Sequence, residues 1–117
     1  MNRTLVFALA LALQTGAALA HTALESSTPA QDATVTAPEA LTLTFSETVS
    51  LAFTGITLKA ADGSEVATGE ASLNPDTGSI LTVPLAAPLP PGTYTVEWHA
   101  LSEDGHKVHG TYAFTVN

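Results

Sequence analysis

A strict alternation of apolar and polar residues is the feature that most narrows the fold of this chain. Side chains at positions i and i+2 of a strand share one face, so each alternating run predicts a strand with one buried face. No helical periodicity follows residue 20. The apolar positions of the three clearest runs are Leu41, Leu43 and Phe45; Tyr94, Val96 and Trp98; and Tyr112, Phe114 and Val116.

A fourth run, Leu81 to Leu85, is interrupted by Pro84, and because proline cannot donate to a strand ladder we expect an edge strand there. Turn-forming residues separate the runs. Short strands joined by turns, in a chain of 117 residues, predict an all-β fold, specifically a small two-sheet Greek-key β-sandwich. The turn signals are Pro38, Asp62-Gly63, Pro75 to Gly78, Pro90 to Gly92 and Asp104-Gly105.

The first 20 residues have the pattern of a cleaved signal peptide. Arg3 supplies a positive start, Leu5 to Leu13 is apolar, and Ala18-Leu19-Ala20 is a small-x-small cleavage signature. An uncleaved anchor or a buried helix is the alternative, but neither explains the small residues that end at Ala20. We therefore expect residues 1–20 to be a signal peptide and residues 21–117 to be one exported domain, with no membrane span in that mature chain.

Charge and composition exclude several classes of function. The mature chain keeps two basic residues, Lys59 and Lys107, against 11 acidic ones, a net charge of −9. Such a surface repels phosphate backbones and predicts no nucleic-acid binding; it favours cations, or serves solubility alone. The absence of cysteine excludes disulfides, thiolate ligands and a lipid anchor on cysteine. Any metal is therefore bound through nitrogen and oxygen.

Four histidines are present, and the one at the predicted cleavage site stands out. His21 would become the first residue, where its α-amine and its imidazole Nδ1 can chelate one metal ion. In the stretch "SEDGHKVHG", Gly105 separates Asp104 from His106 and lets their side chains converge. A plain turn with a solvated His106 is the alternative. Together these groups would make a set of three nitrogens and one oxygen, which suits tetragonal Cu(II) better than zinc.

These residues, with "STPA" at 27–30 and "LTFSE" at 43–47, resemble those of the CopC family of periplasmic copper-resistance proteins. The resemblance spans essentially the whole mature chain and implies a cupredoxin-like or immunoglobulin-like sandwich. It further implies a periplasmic Cu(II)-binding protein that buffers copper or delivers it to a CopD-type inner-membrane transporter. By position its ligands are His21, Asp104 and His106.

Three further side chains, Glu47, His99 and His109, are candidates for a role beside that site. Glu47 follows "LTFS" and either orients a ligand or coordinated water, or is a solvated acid at a strand end. His99 is expected on the solvent face of its strand, and His109 on the face opposite His106. Neither is expected to be a primary ligand, although each remains a candidate ligand of a weak additional metal site.

The only methionine is Met1, so the mature chain has no sulfur ligand for Cu(I) and we expect a single Cu(II) site. An enzymatic alternative is the histidine-brace copper centre of a monooxygenase-like oxidase. We expect no enzyme, because most aromatic residues fall on core-facing positions and Asp104 would fill a position that oxygen chemistry needs open. An exported adhesion-like sandwich with incidental histidines ranks last.

Overall fold

The computed structural model describes residues 22–117, and the predicted signal peptide and His21 lie outside this range. The described part is all-β, as predicted, and its one helical element is a short 3₁₀ turn at Leu51–Phe53. No helix among these residues has the length and apolar character needed to cross a membrane. The strands are β1 (Leu24–Thr28), β2 (Thr34–Val35), β3 (Ala40–Phe45), β4 (Gly55–Lys59), β5 (Glu65–Val66), β6 (Ser72–Leu73), β7 (Ile80–Pro84), β8 (Gly92–Leu101) and β9 (Lys107–Val116).

The strands form two sheets that pack face to face. One has the order β1-β3-β7-β6 and the other the order β2-β9-β8-β4-β5. Every pairing is antiparallel except that of β2 with β9. After β3 the chain crosses to the second sheet for β4 and β5, returns for β6 and β7, and crosses again for β8 and β9. This exchange between sheets gives the predicted Greek-key sandwich as one domain.

The core lies between the sheets and is built from the alternating runs. Phe45 of β3 packs edge-on against Trp98 of β8, with ring centroids 5.6 Å apart, and so joins the two sheets. Trp98 itself is only partly buried. The three predicted apolar faces are otherwise confirmed as buried: Leu41, Leu43, Phe45, Tyr94, Val96, Tyr112, Phe114 and Val116.

The predicted edge position of the Pro84 strand is wrong. Strand β7 lies between β3 and β6, and β6 covers only Leu81 and Thr82. The Leu85 amide donates to the carbonyl of Glu39, beside β3, at 3.0 Å. Because backbone groups of successive strand residues point to opposite sides, those of Pro84 point away from β3. There β6 has already ended, and the Pro84 carbonyl accepts from the Gly69 amide at 2.7 Å. The missing N–H of proline therefore removes no ladder hydrogen bond.

Candidate metal site at the end of the β8–β9 hairpin

Strands β8 and β9 form the longest pairing of the fold, in continuous register from Gly92 opposite Val116 to Leu101 opposite Lys107. The turn that joins them is closed by the Ser102 amide, which donates to the His106 carbonyl at 2.9 Å. Gly105 has φ +90°, a conformation that L side chains rarely adopt, although a Cβ there would meet no heavy atom within 4 Å. Backbone conformation, not space, therefore requires glycine at this position.

Asp104 and His106 converge across Gly105, as the spacing predicts. Oδ2 of Asp104 lies 3.0 Å from Nδ1 of His106, and both side chains are about half exposed. The carboxylate also caps the local backbone, because Oδ1 accepts from the His106 amide at 3.3 Å. The turn thus presents one carboxylate and one imidazole together at the surface, which is the arrangement that a metal ligand pair needs.

Ser102, which is not among the residues predicted from the sequence, holds this carboxylate in place. Ser102 is buried, and its hydroxyl donates a hydrogen bond to Oδ1 of Asp104 while accepting one from the His106 amide at 3.2 Å. Ser102, and to a smaller extent His106, lowers the pKa of Asp104 below its ordinary value of 3.8. Asp104 is therefore ionised over the whole neutral range. A serine two residues before an aspartate in "SEDGH" was the available signal.

The segment after β3 runs beside this turn. The Glu103 amide donates to the Thr48 carbonyl at 3.2 Å, and Val49 forms an isolated antiparallel bridge with Ser102. One residue further, the Ser50 amide donates to the Leu101 carbonyl at 2.8 Å. Glu47 immediately precedes this paired stretch, so the chain places it at the same end of the sandwich as the Asp104 turn.

The beginning of the described chain is fastened to the same segment. The hydroxyl of Thr22, a buried residue, donates to Oε2 of Glu47 at 3.0 Å. The Ala23 amide donates to the Ser46 hydroxyl and the Ser46 amide donates to the Ala23 carbonyl, both at 2.8 Å. Glu47 is thus more than a solvated acid at a strand end. It anchors the residue that directly follows His21.

Residues 22–117 hold no group of three or more histidine, aspartate or glutamate side chains that could share a metal ion. Within this range Asp104 and His106 are a pair of donors, and His21 lies outside it. The donor types fit Cu(II), because an imidazole nitrogen and a carboxylate oxygen are ligands it accepts and sulfur is absent after Met1.

His99 and His109 are both exposed, as expected for His99 on the outer face of its strand. Among residues 22–117 they do not join Asp104 and His106 in a group of three or more possible metal ligands. Their relation to each other was not foreseen: in the β8–β9 ladder His99 stands directly opposite His109.

The comparison with known proteins shows the family of this chain. The CopC domain model matches residues 24–117, and the chain belongs to the CopC family. "Protein YobA" of Escherichia coli K12 is 44% identical over 118 residues, covering 97% of this chain and 95% of that protein. The crystal structure of PcoC, described as a methionine-rich copper resistance protein from Escherichia coli, superposes with a TM-score of 0.73 at 40% identity, covering 84% of this chain and all of the other.

The crystal structure of CopC from Methylosinus trichosporium OB3b superposes with a TM-score of 0.77 at 33% identity, covering 83% of this chain and 94% of that one. Both structural matches support the sandwich described above. Membership of this family makes the function of the chain copper-related. PcoC is called methionine-rich, whereas the single methionine of this chain is Met1, so the two proteins differ in their supply of sulfur ligands.

Proposed function

We propose that this chain is a periplasmic Cu(II)-binding protein whose site consists of His21, Asp104 and His106. The observation that carries the proposal is the 3.0 Å approach of the Asp104 carboxylate to the His106 imidazole on an exposed turn. That turn is flanked by the segment at residues 46–50, to which Thr22 is hydrogen-bonded through Glu47. The chain start and the turn are therefore fastened to one common segment.

In this proposal residues 1–20 are removed and His21 becomes the first residue of a domain that spans residues 21–117. Its α-amine and imidazole add two nitrogens to the imidazole of His106 and the carboxylate of Asp104. This set suits tetragonal Cu(II). The α-amine has an ordinary pKa of about 7.7–8.0 and must lose its proton to bind, so copper affinity falls as the pH is lowered.

The protein buffers Cu(II) in the periplasm or passes it to a CopD-type transporter in the inner membrane, and it performs no catalysis. Its aromatic side chains support a binding role. Among residues 22–117 the one strongly exposed aromatic ring is Phe53, at 61%, whereas the other aromatic rings pack in or against the core. Residues 22–117 therefore do not form a flat aromatic surface for a polymeric substrate.

A Cu(II) titration read by electron paramagnetic resonance tests the site. Protein that begins at His21 is compared with protein that carries one extra residue before it, and with Asp104→Asn and His106→Gln variants. We expect a tight signal of three nitrogens and one oxygen from the native start, which weakens in each altered form. Identical binding by the native and extended forms would show that the α-amine is not a ligand.

Asp62→Asn is a matched control. Asp62 also lies in a glycine-containing turn, where Oδ1 accepts hydrogen bonds from the amide and the hydroxyl of Ser64, at 2.9 and 2.6 Å. It is an exposed aspartate with a lowered pKa, like Asp104, but has no histidine neighbour in its turn. We expect its substitution to leave copper binding unchanged, and equal losses in D62N and D104N would refute a specific site.

A further inference from the structure

His99 and His109 form a close cross-strand pair on the outer face of the five-stranded sheet. In an antiparallel ladder, hydrogen-bonded pairs alternate with non-hydrogen-bonded pairs, whose side chains approach more closely. The Ser102 amide donates to the His106 carbonyl, so Ser102 and His106 form a hydrogen-bonded pair. His99 and His109 lie three residue pairs further along the continuous register. Because the two kinds of pair alternate, His99 and His109 form a non-hydrogen-bonded pair.

Backbone hydrogen bonds to the neighbouring segments confirm that His99 and His109 form a non-hydrogen-bonded pair. The carbonyl of Leu101, two residues from His99, accepts from Ser50 on the β4 side, at 2.8 Å. On β9 the carbonyl of Ala113 accepts from Asp32 at 2.7 Å and the amide of Thr115 donates to Ala33 at 2.8 Å, both away from β8. His109 lies an even number of residues from Ala113 and Thr115, so its backbone groups also point away from β8. Directly opposite residues of such a pair have Cβ atoms about 4.5–5.5 Å apart, on the same face.

We propose that His99 and His109 bind a divalent metal ion through their two imidazoles, as a second site separate from the Asp104 turn. Imidazole is a good ligand for Cu(II) and Zn(II), and Cu(II) binds such nitrogens most tightly among the divalent first-row ions. Both side chains are exposed, so water completes the coordination and the ion exchanges readily. The proposal does not depend on the function assigned to His21, Asp104 and His106.

The surroundings of the pair permit this binding. The His99 ring extends over Gly55 of β4, because a Cβ at Gly55 would lie 3.4 Å from Cε1 and 3.7 Å from Nε2 of that ring. Binding one ion with His109 therefore requires His99 to rotate about its Cα–Cβ bond. An exposed side chain makes such rotations on a picosecond to nanosecond timescale. Gly55 has no side chain that would restrict the movement.

Charged neighbours on the same face are few. Glu97 lies two residues before His99 on β8 and forms an ion pair with Lys59, whose Nζ is 3.3 Å from Oε1. Lys107 lies two residues before His109 on β9, toward the turn. Glu97 and Lys107, each two residues from one of the paired histidines, thus have charges of opposite sign. The negative net charge of the chain still draws divalent cations to this surface.

The test is a Cu(II) titration of the full mature protein continued past the first equivalent, followed by electron paramagnetic resonance and by competition with a chelator. We expect a second, weaker equivalent with imidazole nitrogen coupling, lost in His99→Gln and in His109→Gln. The first equivalent should be unchanged in both variants. In the Asp104→Asn/His106→Gln double variant the weaker equivalent should persist. The two sets of variants therefore test the two proposed sites independently.

Thr111→Gln is the matched control, because Thr111 is exposed on the same face of β9, opposite Glu97. It should retain both equivalents. All the substituted side chains are exposed, so circular dichroism should show each variant folded. The proposal is overturned if no second equivalent binds, or if the H99Q/H109Q double variant binds it as the unaltered protein does.

Discussion

The hydroxyl of Thr22 donates a 3.0 Å hydrogen bond to Oε2 of Glu47, across 25 positions of the chain. This contact ties the start of the described structure to the segment that flanks the Asp104 turn. His21 directly precedes Thr22 in the sequence, so in the proposed mature protein this bond would hold the second residue on the segment that flanks the turn. In that proposal Glu47 contributes by anchoring the chain start, whether or not its charge reaches the metal.

Thr22→Val removes this hydrogen bond with little change of volume. Thr22 is only 3% exposed, so the loss of a bond to a carboxylate should lower the free energy of unfolding by about 1 to 2 kcal/mol. Urea unfolding of metal-free protein measures the change. Glu47→Gln retains an acceptor oxygen and should lose less. A T22V variant as stable as the unaltered protein would show that the bond does not hold the chain start.

Ser102→Ala should raise the pKa of Asp104 toward 3.8, because the Ser102 hydroxyl is the main cause of its lowering. Carboxyl chemical shifts of metal-free protein, recorded by NMR as the pH is lowered, measure this. A carboxylate with a lowered folded pKa contributes stability above its unfolded pKa and loses that contribution as the pH falls through the folded value. The acid sensitivity that comes from Asp104 should therefore be smaller in S102A.

Asp62 provides the internal control for that titration. Its pKa is also lowered, mainly by the hydroxyl of Ser64. Ser102→Ala should leave the Asp62 titration unchanged, and Ser64→Ala should shift Asp62 and not Asp104. A common shift of both carboxyls in either variant would indicate a general change of the fold and not the loss of one hydrogen bond.

Tyr112→Phe should remove a source of alkaline instability. Burial raises the pKa of Tyr112 to about 12. No described group meets hydrogen-bond geometry with its hydroxyl. The Ser27 hydroxyl, which lowers this pKa less than burial raises it, donates instead to the Pro29 carbonyl at 3.0 Å. A folded pKa above the ordinary value of 10.0 means that stability falls as the pH rises from about 10 toward 12. Y112F should lose this dependence.

Urea unfolding at pH 7 and at pH 10.5 tests this prediction. At pH 7 Y112F should be as stable as the unaltered protein or slightly more stable, because a buried hydroxyl without a partner is removed. Tyr94→Phe is the contrasting variant, since the Tyr94 hydroxyl donates to the Pro90 carbonyl at 2.6 Å. Its loss should cost about 1 kcal/mol. A larger loss in Y112F than in Y94F would contradict this interpretation.

Gly110→Ala should destabilise the fold. A Cβ at Gly110 would lie 2.7 to 3.0 Å from three atoms of the Trp98 indole, which is wedged between the sheets against Phe45. Displacing this ring should cost about 1–3 kcal/mol. Gly55→Ala is the control, because its nearest neighbour is the exposed His99 ring at 3.4 Å. Equal effects of the two substitutions on thermal unfolding would show that the Trp98 contact is unimportant.

The sequence by itself determined the features that depend on near neighbours along the chain. The alternation around Leu43, Val96 and Phe114 specified strands and their buried faces, because side chains in a strand alternate whatever the partner strand is. The approach of Asp104 to His106 was predictable for the same reason, since one flexible glycine separates them. The absence of sulfur ligands after Met1 is a property of composition alone.

Only the tertiary structure decided which distant segments meet. The anchoring of Thr22 by Glu47 and the burial of Ser102 beneath Asp104 depend on how β3 and its following segment lie beside the hairpin. Pro84 was misjudged because its position in the sheet depends on where β6 ends, and no residue near Pro84 encodes that. Register likewise set His99 opposite His109. Strand pairing is chosen by the packing of the whole core, so a local pattern cannot reveal it.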